Sequence, residues 1–297
     1  MPHIYSSLNA CLAIIAVWGL IGLAGLLRPT SLLYVGRTLF PLGALCGVAL
    51  AVVAATSLQA PVEQAVLSIG LPDLPMHVRR DALSSLFLVL LGATSAGISI
   101  FAAGYFRRGA GTSAGLMCLQ YHFFLASMGF VLLADDAYAF MVAWETMALS
   151  SYFLVTTQHG LPEIRRAGFL YLLIAHVGAL AILLSFGLMQ GGSWQFTFDA
   201  MRTAHLAPNW AAVAFLLALF GFGAKAGLVP LHVWLPEAHP AAPSPVSALM
   251  SAVMLKTAVY GVLRVTFDLL GKPDSCPSGS FCKPSYSRTK FPGHLSA

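Results

Sequence analysis

Charged residues are scarce in this chain. Only 9% of its 297 residues are Asp, Glu, Lys or Arg, whereas a soluble domain carries about 25%. Hydrophobic residues make up 58% of the sequence, and the mean hydropathy is +0.80. Such a composition excludes an ordinary soluble domain and predicts an all-α polytopic membrane protein, with the lipid bilayer as its solvent.

Redox, metal and nucleotide motifs are also absent. The chain has five cysteines, but none stand as Cys-x-x-Cys, and neither Gly-x-Gly-x-x-Gly nor a Walker sequence occurs. No cofactor and no metal site are therefore predicted. The net charge of +5 is concentrated in the last 27 residues and is otherwise spread over short loops. Without a basic patch, nucleic acid is not an expected partner.

Apolar segments of bilayer length recur along the chain. They predict about eight transmembrane helices, while residues 59–80 are expected at the membrane interface. Ser244 and Pro245 are expected as N-cap and first residue of the last helix. The predicted segments are Leu8–Leu27, Thr38–Leu58, Asp81–Ala103, Ala114–Ala134, Asp136–Thr157, Ile164–Met189, Asn209–Leu228 and 244–266.

Arginine and lysine in the short loops predict the orientation. The loops after the first, third and fifth segments hold six arginines, including Arg107 and Arg108, against three on the other side. The excess predicts a multi-pass protein of the inner (cytoplasmic) membrane with its N-terminus outside. Residues 271–297 are rich in Ser, Pro, Gly and Lys, and their composition predicts a disordered tail.

Two ionisable residues of opposite charge fall inside predicted membrane helices. Glu145 lies half-way along the fifth segment and Lys225 lies near the end of the seventh. A lone charge at bilayer depth is costly, so we expect the two side chains to face each other. The pair could load and release a proton, or it could be a static ion pair that fixes helix packing.

Three further ionisable residues fall inside membrane segments, namely Lys256, His122 and His176. Tyr260 and Arg264 follow Lys256 at i+4 and i+8, so we expect one wet face, with Arg264 extending to the interface. Either histidine could relay protons. The alternatives are a single static contact for Lys256 and backbone hydrogen bonds for the histidines.

Glycine and proline interrupt the seventh segment. Gly227 and Pro230 are expected to end its helix before a re-entrant segment, because proline cannot donate a backbone hydrogen bond. A proline-rich loop is predicted over 235–244, with Pro236 at the break and Glu237 closing the break or admitting ions. Asp135 and Asp136 are expected to cap the fifth helix.

Two motifs carry a family resemblance: Trp144-Glu145 with the following MALSSYFLV, and PLHVWLPEAHPAAPSPVSALMSAVMLK. The chain resembles the antiporter-like membrane subunits of respiratory complex I and of membrane-bound hydrogenases, nearest to the large membrane subunits of hydrogenase-4 type complexes. The resemblance implies that Glu145 and Lys225 gate proton movement and that Lys256 passes the proton on. It also implies membrane and peripheral partner subunits that hold the redox centres.

The resemblance further implies a domain organisation. Residues 1–113 would form three N-terminal helices, and residues 114–270 the first five-helix antiporter-like repeat with its broken seventh helix. Residues 271–297 resemble nothing in the family and look like an out-of-frame or truncated end, because the family's second repeat is not found in the chain.

Three functions follow as expectations. The first is a proton-translocating subunit, without an active site of its own, in a hydrogenase-4 or NADH-quinone oxidoreductase-like complex. The second is a cation/proton antiporter subunit of the multi-subunit sodium-exchange type. The third is a structural fragment that conducts nothing.

Overall fold

The computed structural model describes residues 6–71, 74–106 and 111–271. Within these residues the chain forms ten helices and one β-hairpin. The predicted tail, from residue 272 onward, and the arginines at 107 and 108 lie outside the described residues. The helices are α1 (Ser7–Leu27), α2 (Leu32–Thr56), α3 (Ala82–Tyr105), α4 (Ala114–Leu133), α5 (Ala137–Val155), α6 (Pro162–Met189), α7 (Phe198–Thr203), α8 (Pro208–Ala226), α9 (Leu235–Ala241) and α10 (Ser244–Leu269).

The chain is a multi-pass membrane protein. Seven helical segments of the described residues are long and apolar enough to span a bilayer, with α8 and α9 counted as one segment, Pro208–Ala241. The remaining predicted span, the fifth, forms α5, a helix of 19 residues that is not among these seven. Glu145 and five hydroxyl residues lower its apolarity, which suits a helix packed between α4 and α6.

Polar residues define where two of these helices begin. The Asp81 carboxylate accepts a hydrogen bond from the Ser84 amide at 2.9 Å, at the start of α3. The Asp136 carboxylate accepts one from the Ala139 amide at 2.6 Å, at the start of α5. Each satisfies an amide that has no partner inside the helix. The predicted capping role is confirmed for Asp136, but Asp135 makes no capping bond within the described residues and its carboxylate pairs with Arg202 instead.

The predicted fold class is confirmed, since the described chain is mostly helical, and the segment expected at the interface adds two strands. Strands β1 (Glu63–Leu71) and β2 (Leu74–Arg80) pair antiparallel, with Glu63 opposite Arg80. Exposed and half-buried residues alternate along the first part of β1, as the period of two requires for a strand with one covered face. Short runs of alternation inside a polar segment were the missed signal.

Glu63 ties the hairpin to the start of α1. Its carboxylate accepts hydrogen bonds from the Ser6 hydroxyl (2.5 Å), the Ser7 hydroxyl (2.8 Å) and the Leu8 amide (2.7 Å). Burial by itself raises the pKa of Glu63. These hydrogen bonds and the charge of Arg80 outweigh burial and lower the pKa to about 2.

Two expectations near the last helix need correction. Residues 235–241 form α9 instead of a loop, because Pro236 sits in the first turn, where a missing amide proton costs no hydrogen bond. Helix α10 begins at Ser244 as predicted, but its N-cap is Pro243 and Ser244 makes no capping bond. Two π turns, Met250–Met254 and Arg264–Leu269, interrupt α10.

Candidate functional site

Lys225 is a buried cation in the last turn of α8. Only 2% of the residue is exposed, and its ammonium donates a hydrogen bond to the Tyr171 hydroxyl at 2.5 Å. The ammonium also lies 4.6 Å from the centre of the Tyr171 ring. Among the described residues no carboxylate lies within 4 Å of it. The C-terminal end of the α8 dipole adds partial negative charge beside the ammonium.

A chain of hydroxyls continues from Lys225 across α6 to α5. The Tyr171 hydroxyl and the Ser151 hydroxyl are 2.5 Å apart, and Ser151 donates its one proton to the Met147 carbonyl at 2.7 Å. Because that proton is used, Ser151 accepts from Tyr171, which in turn accepts from Lys225. The donors therefore all point from α8 towards α5, and the chain ends at a backbone carbonyl.

The helix break predicted after α8 is confirmed. Gly227 ends the helix with φ of 76°, a left-handed conformation that favours glycine. A 3-10 turn, Leu231–Trp234, follows and returns to the bundle. The Trp234 indole donates to the Ala224 carbonyl at 2.8 Å and packs against the Tyr171 ring. The break thus brings Trp234 back against Tyr171, the partner of Lys225, and gives one carbonyl at the helix end a hydrogen-bond donor.

Pro236 and Glu237 lie on the exposed side of α9. Pro236 is in the first turn of that helix. The Glu237 carboxylate has no cation within 4 Å among the described residues, so the role suggested for it at the break stays a prediction.

The predicted contact between Glu145 and Lys225 is wrong. Glu145 is one-third exposed, and its carboxylate lies 3.5 Å from Nε2 of His176 on α6. Successive residues on a helix differ by about 100° in direction. Trp144 occupies the buried side of α5, so Glu145 faces outwards, and Ser151 is the α5 residue that reaches the lysine side.

His122 is completely buried in α4 and stands apart from the other ionisable groups. Its Nδ1 donates to the Cys118 carbonyl at 2.9 Å, while Nε2 has no partner in the described chain. The rings of Phe40 and Tyr121 surround it. His122 therefore makes the backbone hydrogen bond that was expected as the alternative to a relay. A relay role for His122 stays a prediction.

Lys256, Tyr260 and Arg264 do not form one wet face. Lys256 is exposed and its ammonium bonds back to the Ser251 carbonyl at 2.6 Å, within the first π turn of α10. Tyr260 is buried and donates to the Leu132 carbonyl of α4 at 3.0 Å. The lysine side chain bends towards the N-terminal end of its helix, away from Tyr260.

Arg264 does not extend to the interface either. Only 5% of it is exposed, and its guanidinium forms two bonds to Asp81, of 2.6 and 3.0 Å, and one of 2.9 Å to Asp268. The hydroxyls of Ser84 and Tyr260 accept further bonds from it. Burial by itself raises the pKa of Asp81, but its bonds to Arg264 and the positive charge hold that pKa well below its usual range.

The Arg264 cluster continues to the loop side of the bundle. Arg202 on α7 donates to both oxygens of Asp268, each at 3.0 Å, and to Asp135 at 2.6 Å. Sequence reasoning did not predict this cluster, although Arg264 and Asp268 are four residues apart on one helix, the spacing of an ion pair. Tyr171, a polar group in the middle of an apolar helix, was not predicted either.

A buried lysine thus lies at a helix break inside a bundle of membrane helices, and this part of the chain is similar to known proteins. Residues 134–276 match the family model described as "NADH:quinone oxidoreductase/Mrp antiporter, TM". The match assigns these residues, just under half of the chain, to that family of antiporter-like membrane domains.

Individual relatives agree with this assignment. The chain is 44% identical to hydrogenase-4 component B of Escherichia coli over 197 residues, which cover 66% of this chain and 29% of that protein. It is 33% identical to NAD(P)H-quinone oxidoreductase chain 4 2 of Microcystis aeruginosa over 191 residues, 63% of this chain and 33% of that one.

A solved structure, that of the Mrp complex from Dietzia sp. DQ12-45-1b, is similar with a TM-score of 0.69 and 25% identity. The match covers 89% of this chain and 28% of the other. This chain thus spans about a third or less of the length of each of these three proteins.

Proposed function

We propose that the chain is a proton-translocating subunit of a hydrogenase-4 or NADH-quinone oxidoreductase-like membrane complex. Electron transfer takes place in its partner membrane and peripheral subunits, and this chain moves protons in response. The observation that carries the proposal is the Lys225 ammonium, buried at the break of α8 without a carboxylate within 4 Å among the described residues. A lysine in such a place can exist charged or neutral, whereas an arginine would stay charged.

The geometry around Lys225 favours proton exchange over a fixed ion pair. A charged ammonium donates to Tyr171, and Tyr171 donates to Ser151. When the lysine is neutral, its nitrogen lone pair accepts a bond from the Tyr171 hydroxyl, so the same oxygen accommodates both states. In the domain organisation that the resemblance implies, Lys225, Tyr171 and Ser151 all lie in the first five-helix repeat, residues 114–270.

We infer that the protein lies in the cytoplasmic membrane with its N-terminus and the β-hairpin on the outside. The six-to-three excess of loop arginines supports this placement. In a cysteine-free background, a cysteine at Val66 of β1 should react with a membrane-impermeant reagent added to intact cells. A cysteine at Arg28 should react only after the membrane is opened, and the reverse pattern would invert the orientation.

Substitution of the lysine tests the role of Lys225. In a full-length relative within its complex, replacing the lysine at this position by Ala should abolish proton pumping. Hydrogenase or dehydrogenase activity with an artificial electron acceptor should remain, because the redox centres are elsewhere.

Replacement by Arg is the matched control, since arginine keeps the charge but cannot release its proton. Proton exchange predicts that the Arg variant pumps no better than the Ala variant. A pumping Arg variant, or equal loss of the artificial-acceptor activity in both, would make the lysine a structural charge.

A second candidate is a cation/proton antiporter subunit of the multi-subunit sodium-exchange type. The likeness to the Mrp complex structure and the description of the matching family favour it. Sodium uptake driven by a pH gradient in vesicles that contain the complex distinguishes the two functions. Uptake that depends on Lys225 supports the antiporter, and proton movement without sodium uptake supports the first proposal.

A further inference from the structure

A side cavity of about 480 Å³ opens at the surface between α5 and α6. Five aliphatic side chains line it together with Glu145 and His176. Glu145 is the ninth of 19 residues in α5, and His176 is the fifteenth of 28 in α6, so both are near the middle of their helices. Two ionisable groups therefore meet in an otherwise aliphatic cavity.

The backbone fixes which nitrogen of His176 carries a proton. Nδ1 lies 2.9 Å from the Leu172 carbonyl, and a carbonyl oxygen only accepts hydrogen bonds. Nδ1 is therefore protonated in both the neutral and the charged imidazole. The variable site is Nε2, which is the atom that lies 3.5 Å from the Glu145 carboxylate.

Only one proton count suits this pair. With no additional proton, an ionised carboxylate faces the lone pair of Nε2, two acceptors without a donor, and the pair carries a net charge of −1. With two protons the net charge is +1. With one, on Nε2 or on the carboxyl oxygen, a donor faces an acceptor and the net charge is zero, the least costly state in an aliphatic cavity.

Other charged and titratable groups of the surrounding elements do not enter the cavity. No further titratable side chain of the described residues lines it. Lys225 of α8 is bonded to Tyr171, and His122 of α4 to the Cys118 carbonyl. The remaining titratable residues of α5 and α6 are Tyr138, Tyr152, Glu163, Arg165, Arg166 and Tyr171.

We propose that Glu145 and His176 form an acid–base couple that holds one proton at the lateral side of the bundle. The proton moves between Nε2 of His176 and the facing oxygen of Glu145, and no other bond changes. The inference rests on the proposed function only for the use of that proton. It assigns to Glu145 a partner on the next helix in place of the expected lysine.

Magnetic resonance on the full chain, reconstituted in lipid nanodiscs, tests the couple. Nitrogen-15 in histidine reports whether Nδ1 and Nε2 are protonated, and carbon-13 in the glutamate carboxyl reports whether Glu145 is ionised. Loss of the signals in H176Q and E145Q assigns them. We expect protonated Nδ1, and at pH 7 the occupancies of Nε2 and of the carboxyl should add up to about one proton.

The variants also show whether the two groups depend on each other. In E145Q the glutamine amide can donate to Nε2, so His176 should be neutral with Nδ1 protonated and Nε2 bare. E163Q makes the same change at an exposed position of α6 and should leave the wild-type occupancy at about one. Unchanged signals of the other histidines report that each variant is folded.

Two results would overturn the couple: an ionised Glu145 facing a bare Nε2 in the wild type, or a bare Nδ1. The measurement is made at equilibrium without partner subunits or a potential. If the complex does not pump protons although Glu145 and His176 share one proton, the proposed function alone is refuted. A couple with no proton in a pumping complex would refute this inference alone.

Discussion

Arg264 and Lys225 are both buried cations in the same helix bundle, but their charges are compensated differently. Arg264 contacts the carboxylates of Asp81 and Asp268 and two hydroxyls. Lys225 contacts a single hydroxyl and a ring face. The guanidinium does not give up its proton, and full pairing makes it part of the framework. The ammonium can give up its proton, and its sparse surroundings suit a group that changes state.

The strongest effect should follow from breaking the Arg264 cluster. Asp81→Asn leaves a buried guanidinium with half of its anionic partners, and removal of one partner of a buried pair costs about 3–5 kcal/mol. Denaturant titration of the chain in micelles measures the loss in the free energy of unfolding. Asp199→Asn is the control, since this carboxylate is 80% exposed and 3.8 Å from Arg202, and it should change stability little. Equal losses would remove the distinction between the two regions.

A smaller effect should follow from Tyr171→Phe. The variant deprives Lys225 of its hydroxyl acceptor and Ser151 of its donor, and an unpaired buried polar group costs roughly 1–3 kcal/mol. Lys225→Met in the same chain removes the unpaired ammonium and should restore most of the loss. If the double variant is less stable than Tyr171→Phe alone, the lysine stabilises the fold in a way that the sparse contacts do not explain.

The smallest effect concerns the charge at the hairpin. Because the pKa of Glu63 is lowered from 4.5 to about 2 in the folded chain, its ionised form contributes stability above pH 4.5. That contribution should fall as the pH drops from 4.5 to about 2, by about 1 kcal/mol for a partly exposed carboxylate. Thermal unfolding of the wild type and of Glu63→Gln, compared over this range, measures it. A difference that does not shrink with falling pH would contradict the hydrogen-bonded carboxylate.

Sequence reasoning could predict the helices because long apolar segments and helix breakers are local signals. Helix α1 and the break at Gly227 agree closely with expectation, as does the start of α10 at Ser244. The hairpin was missed because its alternating residues are few and stand in a polar segment.

The contacts within the site were harder to predict than its residues. Lys225 and Glu145 are recognisable as costly charges in apolar sequence, but their rotational positions on α8 and α5 depend on packing. Glu145 faces His176, and Lys225 faces Tyr171. A charge-pairing argument considers only charged groups, and therefore it could not find a hydroxyl as the partner of the lysine. The roles of these residues in ion movement stay predictions.

The central claim is that Lys225 is a proton-holding centre whose polar contacts within the described residues end inside the bundle. The hydroxyl chain stops at the Met147 carbonyl, and Lys256 bonds back to its own helix. A conducting path needs polar groups across about 30 Å of hydrocarbon. The chain alone should therefore not conduct, and partner groups would have to complete the path.

Proton flux through the chain alone tests this claim most directly. The full chain is reconstituted into liposomes that enclose a pH-sensitive dye, a membrane potential is imposed, and an added protonophore confirms that the vesicles respond. We predict that wild type and Lys225→Ala both give the flux of empty vesicles. Flux that is clear in the wild type and disappears in Lys225→Ala would show that this chain carries a complete path by itself.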